Sequence, residues 1–241
     1  MYRVVKDLLT SNNAKTVKGE KLGIKTYIMY MSPFTQNSKG INLCSHASNG
    51  CASACLFGSG FGGIYTNVEQ GRINKTEWFL HNRMEFLLAL VKNITKVKNK
   101  HDKKGEKICI RLNGTSDIAF EKLLIDGKNI FDLFSEIQFY DYTKNPFRMR
   151  KELPSNYHLT FSRSETNDDV CLEMLEEGKN VAIVFNELPT EYKGYKVVNG
   201  DESDLRFLDD ENVIVGLKYK KLTKKGSDNE KAFDDNFVIT I

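Results

Sequence analysis

The sequence predicts an α/β fold in which a mostly parallel β-sheet is covered by helices. Three observations lead there. Short runs rich in β-branched and aromatic residues recur along the chain, bounded by turn residues, and such runs form strands. Most are separated by segments of helical or irregular pattern, so β and α elements alternate. The strands are apolar along their length, as strands are when helices cover both faces of a parallel sheet.

The first strand is "KTYIMYMSP", Lys25–Pro33, which stops at a proline. A long loop follows and carries three cysteines. In "NKTEWFLHNRMEFLLALVKNITKVK", Leu80, Met84, Leu87, Leu88, Val91 and Ile94 recur at helical spacing, which predicts one helix with that face on the core. After a lysine-rich turn come strands at Lys107–Asp117 and Glu136–Lys144, with "FEKLLIDGKNIFDLFS" irregular or helical between them. A short basic helix or turn leads to a strand at Tyr157–Glu165. "NDDVCLEMLEEGKN" has acidic residues at its start and a glycine at its end, matching the dipole and C-cap preferences of a helix. Strands at Asn180–Asn186 and Val213–Lys220 bring the total to six, and the tail predicts a loop and a last edge strand.

With 241 residues and no break in composition, a single domain spanning 1–241 is the simplest organisation, long enough to bury a sizeable core. The net charge is a mild +3, which permits nucleic-acid contact without requiring it. The N-terminus lacks an apolar signal region, and no apolar run approaches a membrane span. These features predict a cytoplasmic protein with no membrane partner. An odd cysteine count of five in a reducing compartment argues against a disulfide framework. Cys109, in a strand-like run, and Cys171, in a helix-like run, are expected to pack in the core.

The predicted strands end in clusters of polar and ionisable residues: Asn113, Thr115, Ser116 and Asp117, then Asp141, Tyr142 and Lys144, then Ser162, Arg163, Ser164 and Glu165, then Asn186. Polar residues begin loops in any protein, but three of these clusters are dense in hydrogen-bonding groups. In parallel α/β folds the reactive groups gather at that end of the strands.

The stretch "NLCSHASNGCASACLF", Asn42–Phe57, places Cys44, Cys51 and Cys55 within twelve residues, spaced C-x6-C-x3-C. Three thiolates on one loop can bind three irons of a cubane cluster and leave the fourth open. Zinc instead takes four protein ligands in a structural site. His46 would have to be the fourth, and its position two residues from Cys44 makes an awkward chelate. Three buried, unliganded cysteines are the bland alternative. The cofactor-binding loop, 42–63, continues into "FGSGFGG", where Gly58, Gly60 and Gly63 match G-x-G-x-x-G in form. No strand precedes them directly, as a dinucleotide fingerprint requires. Their reading is backbone N–H groups brought close to cluster sulfides or a cofactor, or simply a flexible turn.

A cysteine triad just after the first strand, followed by about six βα units, resembles the radical S-adenosylmethionine superfamily. The resemblance implies a partial (β/α)6 barrel in which Cys44, Cys51 and Cys55 hold a [4Fe–4S] cluster. The open iron would chelate the methionine moiety of S-adenosylmethionine, and reductive cleavage, fed by an electron donor, would yield a 5′-deoxyadenosyl radical. Asn113, Thr115, Ser116 and Asp117, with Ser162, would bind the cofactor. Tyr142, Lys144, Arg163 and Glu165 would line the ribose or substrate region as catalytic residues. The spacing is wider than the common C-x3-C-x2-C, although "NGCASAC" is similar to variant spacings in phage-associated relatives. "LNGTSD" stands where the superfamily carries Gly-Gly-Glu. The segments "RLNGTSD", "FYDYTK", "HLTFSRSE" and "GDESDLRFLD" also resemble an uncharacterised family of phage and plasmid proteins known by a gene-product label.

The acidic loop Asn199–Asn212 predicts ion pairing, with Asp201 or Asp204 against Arg206, in preference to a divalent-cation site. Two basic runs, Val91–Lys107 and Lys218–Gly226, are each the usual solvated helix end or loop. Together with Lys144, Arg148, Arg150 and Lys151 they keep nucleic acid in view as a substrate or partner. His81, His101 and His158 have no nucleophile at a recognisable spacing, and a cysteine hydrolase is a remote third reading. The alternative to the enzyme is a nucleic-acid-binding accessory protein of a mobile element with zinc or a cluster as a structural clip.

Overall fold

The computed structural model describes residues 2–11, 14–59, 63–225 and 227–241, with backbone alone at 14–16. Among these residues nine strands form one mixed, mostly parallel sheet in the order β1-β2-β3-β4-β5-β6-β9-β8-β7. The order is linear, so the sheet is open, with β1 and β7 at its edges. The strands are β1 Leu9–Thr10, β2 Ile24–Met29, β3 Lys107–Arg111, β4 Gln138–Thr143, β5 Tyr157–Ser162, β6 Val181–Phe185, β7 Glu191–Tyr192, β8 Tyr195–Asn199 and β9 Ile214–Lys218. The helices used below are α1 Ala14–Glu20, α2 Asn49–Ser53, α3 Thr66–His81, α4 Arg83–Asp102, α5 Ile130–Leu133, α6 Pro146–Met149, α7 Asp168–Glu176 and α8 Lys231–Asp234. Among the described residues, no helix is long and apolar enough to cross a membrane. The chain packs as two compact units, one of Met1–Cys44, Asn67–Asp141 and Glu152–His158, the other of Ser45–Thr66, Tyr142–Lys151 and Leu159–Ile241.

In the first unit β2 runs parallel to β3, and β3 to β4, while β1 pairs antiparallel with β2. Thr26 to Met29 and Cys109 to Arg111 are buried, as their β-branched and apolar composition favours. The long helix expected over 74–98 is two helices that break at Asn82. The break lets Trp78 Nε1 and Asn82 Nδ2 both donate to Glu85 Oε2, at 3.1 and 2.7 Å. It also sets the Trp78 and Phe79 rings edge-on to Phe86. The buried face of α4 is therefore Phe86, Leu87, Leu90, Ile94 and His101. Met84 and Leu88, expected on the core face, are 50% and 45% exposed. His101 is buried at the end of α4, where Nε2 meets the Tyr27 hydroxyl at 2.8 Å and Nδ1 the Glu106 carboxylate at 2.6 Å.

In the second unit β6 runs parallel to β9, and β8 to β9. The hairpin β7–β8, which the apolar pattern does not predict, turns on Lys193 and Gly194, both at positive φ (52° and 83°), the backbone that a two-residue hairpin turn demands. Helix α7 buries Cys171, Met174 and Leu175 and is followed by Gly178 at φ 78°, as the sequence predicts. The tail does not end in an edge strand. It forms α8 and then touches β6 through a single parallel bridge, Phe185 to Ile239.

Candidate functional site

In the first unit the polar end of β3 is a closed hydrogen-bonded turn built on a buried carboxylate. Asp141 Oδ1 accepts from the Asn113 backbone N–H at 2.7 Å. Oδ2 accepts from Asn113 Nδ2 at 3.1 Å and from the Tyr157 hydroxyl at 3.1 Å. The Arg111 guanidinium Nε lies 3.9 Å from Oδ1, with both side chains buried. Asn113 also donates to the Ile118 carbonyl, and its Oδ1 accepts from Ser116 Oγ and Ile118 N. Both amide donors and both lone pairs of Asn113 are thereby used within the chain, so its side chain shapes the turn. Thr115 donates to the Met31 carbonyl.

This turn holds the start of the cysteine loop. Asp117 N donates to the Leu43 carbonyl at 2.9 Å. The Cys44 thiol lies 3.7 Å from the Thr115 carbonyl, and Cys44 N donates to Asn42 Oδ1 at 2.8 Å. Gly114 is required at this crossing, because a Cβ there would sit 2.7 Å from Ile28, the Met29 carbonyl and the Tyr30 ring.

In the second unit the remaining cysteines sit on α2 and the turn after it. Ser48 is the N-cap of α2, and its Oγ accepts from Cys51 N at 3.2 Å, the role a serine plays at that position. The same hydroxyl donates to Glu165 Oε2 at 2.6 Å, and Gly50 N donates to Glu165 Oε1 at 2.7 Å. Glu165, a residue of the strand end after β5, thus caps the helix that carries Cys51. Arg163 is buried and forks onto Asp168, with Nε to Oδ1 at 2.7 Å. Its NH1 donates to the carbonyls of Asn236 and Phe237 at 2.6 and 2.9 Å. The guanidinium holds the Asp168 carboxyl below its usual range by hydrogen bonding and charge. Cys51 packs on Ala54, Ala232, Phe237 and Val238. Lys144 Nζ donates to Ser162 Oγ at 2.9 Å, and its ammonium lies 5.8 Å from the Phe237 ring centroid. Tyr142 is half-buried at the end of β4. Of the basic residues nearby, Arg150 is paired with Glu173 and Glu177.

The glycine pattern has a structural role where it is described. The Gly58 carbonyl accepts from Thr223 N and Lys224 N at 3.0 and 3.1 Å, tying the basic segment to the cysteine loop. Gly60 lies outside the described residues. In the acidic loop Arg206 pairs with Asp209 at 3.3 Å, while Asp201 pairs with Lys220 at 2.7 Å.

Among the described residues, no three His, Cys, Asp or Glu side chains stand gathered as a metal site. The donor set is of the right kind for an iron–sulfur cluster. Cys44, Cys51 and Cys55 are half-buried and in no disulfide, whereas Cys109 and Cys171 are buried. Burial pushes the Cys171 thiol up to about 12, with Asp168 adding to the shift. Since the thiolate is the reactive form, iodoacetamide near neutral pH is expected to label Cys44 and Cys55 fast, to label Cys51 more slowly because it packs on Ala232, Phe237 and Val238, and to spare Cys109 and Cys171. Peptide mass spectrometry reads this directly, and rapid labelling of Cys171 would contradict the packing described.

Sequence reading missed Arg111, Asp141 as the hub of the β3 turn, and Tyr157. The signal available was a charged residue inside each of two apolar strands, "ICIRL" and "QFYDYT". A family model described as Gene product 88 matches residues 7–235. No curated protein and no solved structure matches the chain.

Proposed function

We propose a function from one premise: the chain belongs to the Gene product 88 family. The reading is a radical S-adenosylmethionine-type enzyme in which Cys44, Cys51 and Cys55 would hold a [4Fe–4S] cluster. The observation that carries it is the seat of the first cysteine. Cys44 rests on the carbonyl of Thr115, within the polar turn that ends the second parallel strand, where such an enzyme needs cofactor-binding groups beside its cluster. Three half-buried cysteines within twelve residues complete the donor set. With such a cluster and S-adenosylmethionine held there, the site would have radical chemistry, hydrogen-atom abstraction from a substrate driven by an external one-electron donor, at its disposal.

The chain's own groups divide into two sets on this reading. Asn113, Arg163 and Glu165 position other parts of the site. Asn113 sets the turn that supports Cys44, Glu165 caps the Cys51 helix, and Arg163 holds residues 236–237. Thr115, Ser116 and Asp117 lie in the turn beside Cys44 and would orient the methionine end. Tyr142, Lys144 and Ser162 would bind the ribose or the substrate, with Lys144 and Ser162 already bonded to each other. The basic segment fastened to Gly58 supports a polyanionic substrate such as nucleic acid. The reading carries with it a partial (β/α)6 curvature of the sheet and an external electron donor.

The test is purification without oxygen followed by reconstitution with iron and sulfide. A brown protein with about four irons per chain that cleaves S-adenosylmethionine when reduced is the expected result. A colourless protein holding stoichiometric zinc, with no cleavage, would replace this reading with the zinc-clip, nucleic-acid-binding accessory protein.

A further inference from the structure

Helix α3 buries two cations one turn apart. Lys75 is 9% exposed and Arg72 is 8% exposed. Among the described residues the Lys75 ammonium makes one hydrogen bond, a long 3.4 Å contact to the Leu8 carbonyl, and pairs with no carboxylate. The Arg72 guanidinium lies 5.0 Å from the Tyr30 ring centroid. Thr76, next along the helix, accepts from Ser32 N at 2.9 Å and donates to the Ser32 carbonyl. This face of α3 is therefore pinned to residues 30–32, which follow β2. Thr115 donates to Met31 in that same segment, so the cations lie at the end of the strands that carries the β3 turn and Cys44.

A buried ammonium with no counter-charge is costly, and a second cation nearby raises that cost. Burial first, and Arg72 second, push the Lys75 amine down to about 8. Lysines are almost never fully buried unless paired, and among the described residues no carboxylate pairs with Lys75. We infer that Lys75, with Arg72 beside it, forms a binding site for an oxyanion, the carboxylate or phosphate group of a small molecule. The bound anion would provide the counter-charge, and the three rotatable donors of an ammonium suit either oxyanion. The inference does not depend on the cluster, because the free chain without metal suffices to test it.

The experiment is calorimetric titration of inorganic phosphate and of sodium acetate into the full chain, wild type and Lys75→Met, with melting temperatures measured in anion-free buffer. Methionine keeps the volume of the buried stem and removes the charge. At least one anion is expected to bind the wild type, and the substitution to weaken it by about tenfold or more. Binding of phosphate alone assigns a phosphoryl ligand, of acetate alone a carboxylate, and of both a general oxyanion seat. Lys75→Met is also expected to melt at or above the wild-type temperature, because it removes an uncompensated buried charge. The proposal is overturned if neither anion binds, if the variant binds as well as the wild type, or if the variant melts lower, which would make Lys75 a structural cation.

Discussion

Asp141→Ala is expected to cost about 3–5 kcal/mol of stability, the loss typical of breaking a buried charge pair. Asp141 is fully buried and accepts hydrogen bonds from the backbone and side chain of Asn113 and from the Tyr157 hydroxyl. Removing its carboxylate leaves the backbone N–H of Asn113, its amide and the Tyr157 hydroxyl without their acceptor in a dry environment. It also removes the carboxylate that lies 3.9 Å from the buried Arg111 guanidinium. The measurement is chemical denaturation, read as a lower midpoint at unchanged slope. Asp141→Asn keeps the size and one acceptor and is expected to lose less. A drop below about 1 kcal/mol, the worth of one ordinary hydrogen bond, would show that the turn is held by something else.

Glu165→Ala is expected to loosen α2 without unfolding the protein. The helix has five residues and cannot persist by its own propensity, since isolated helices this short are unstable. Its N-terminus is held by Ser48 and by two charge-assisted hydrogen bonds to Glu165, at 2.6 and 2.7 Å. Losing them is worth on the order of 2–3 kcal/mol. That corresponds to roughly a thirtyfold or greater rise in the labelling rate of Cys51, if labelling follows local opening. Cys171 on α7 serves as an internal reference whose slow labelling stays unchanged. Gly50→Ala is expected to act in the same direction, because its Cβ would sit 2.7 Å from both Glu165 Oε2 and Phe237 Cβ. Unchanged Cys51 labelling in both variants would remove Glu165 from its positioning role.

The two carboxylates mark where sequence reading works and where it stops. The six apolar strands were legible because burial on both faces demands continuous apolar runs. The polar character of the strand ends was legible for the same reason, as the point where each run stops. What Arg163 and Glu165 point at was not legible. Asp168 aside, the partners named above are 73 to 117 residues away in the chain, and residue type alone does not say whether a carboxylate faces a ligand or a helix end. The break at Asn82 was hidden because the apolar spacing continues through it. It is decided by Trp78 and Glu85, whose bond forms only once the helix has turned. The β7–β8 hairpin was missed because "EYKGYKVVN" alternates charge and aromatic residues at a sheet edge, with little apolar signal.

The seat of α2 has a temporal side. Ser53 is bonded to Asp235, 182 positions later in the chain, and Ala232, Phe237 and Val238 make the apolar bed on which Cys51 packs. At ribosomal speeds of about 5–20 residues per second, roughly 10–40 s separate the emergence of the helix from that of its bed. During that interval the nascent Cys51 is uncovered, and the last part of the second unit to be synthesised ends it. Cofactor loading that takes place during translation would therefore have a deadline written into chain order, and a permuted chain that places residues 230–238 ahead of the cysteine loop would abolish it.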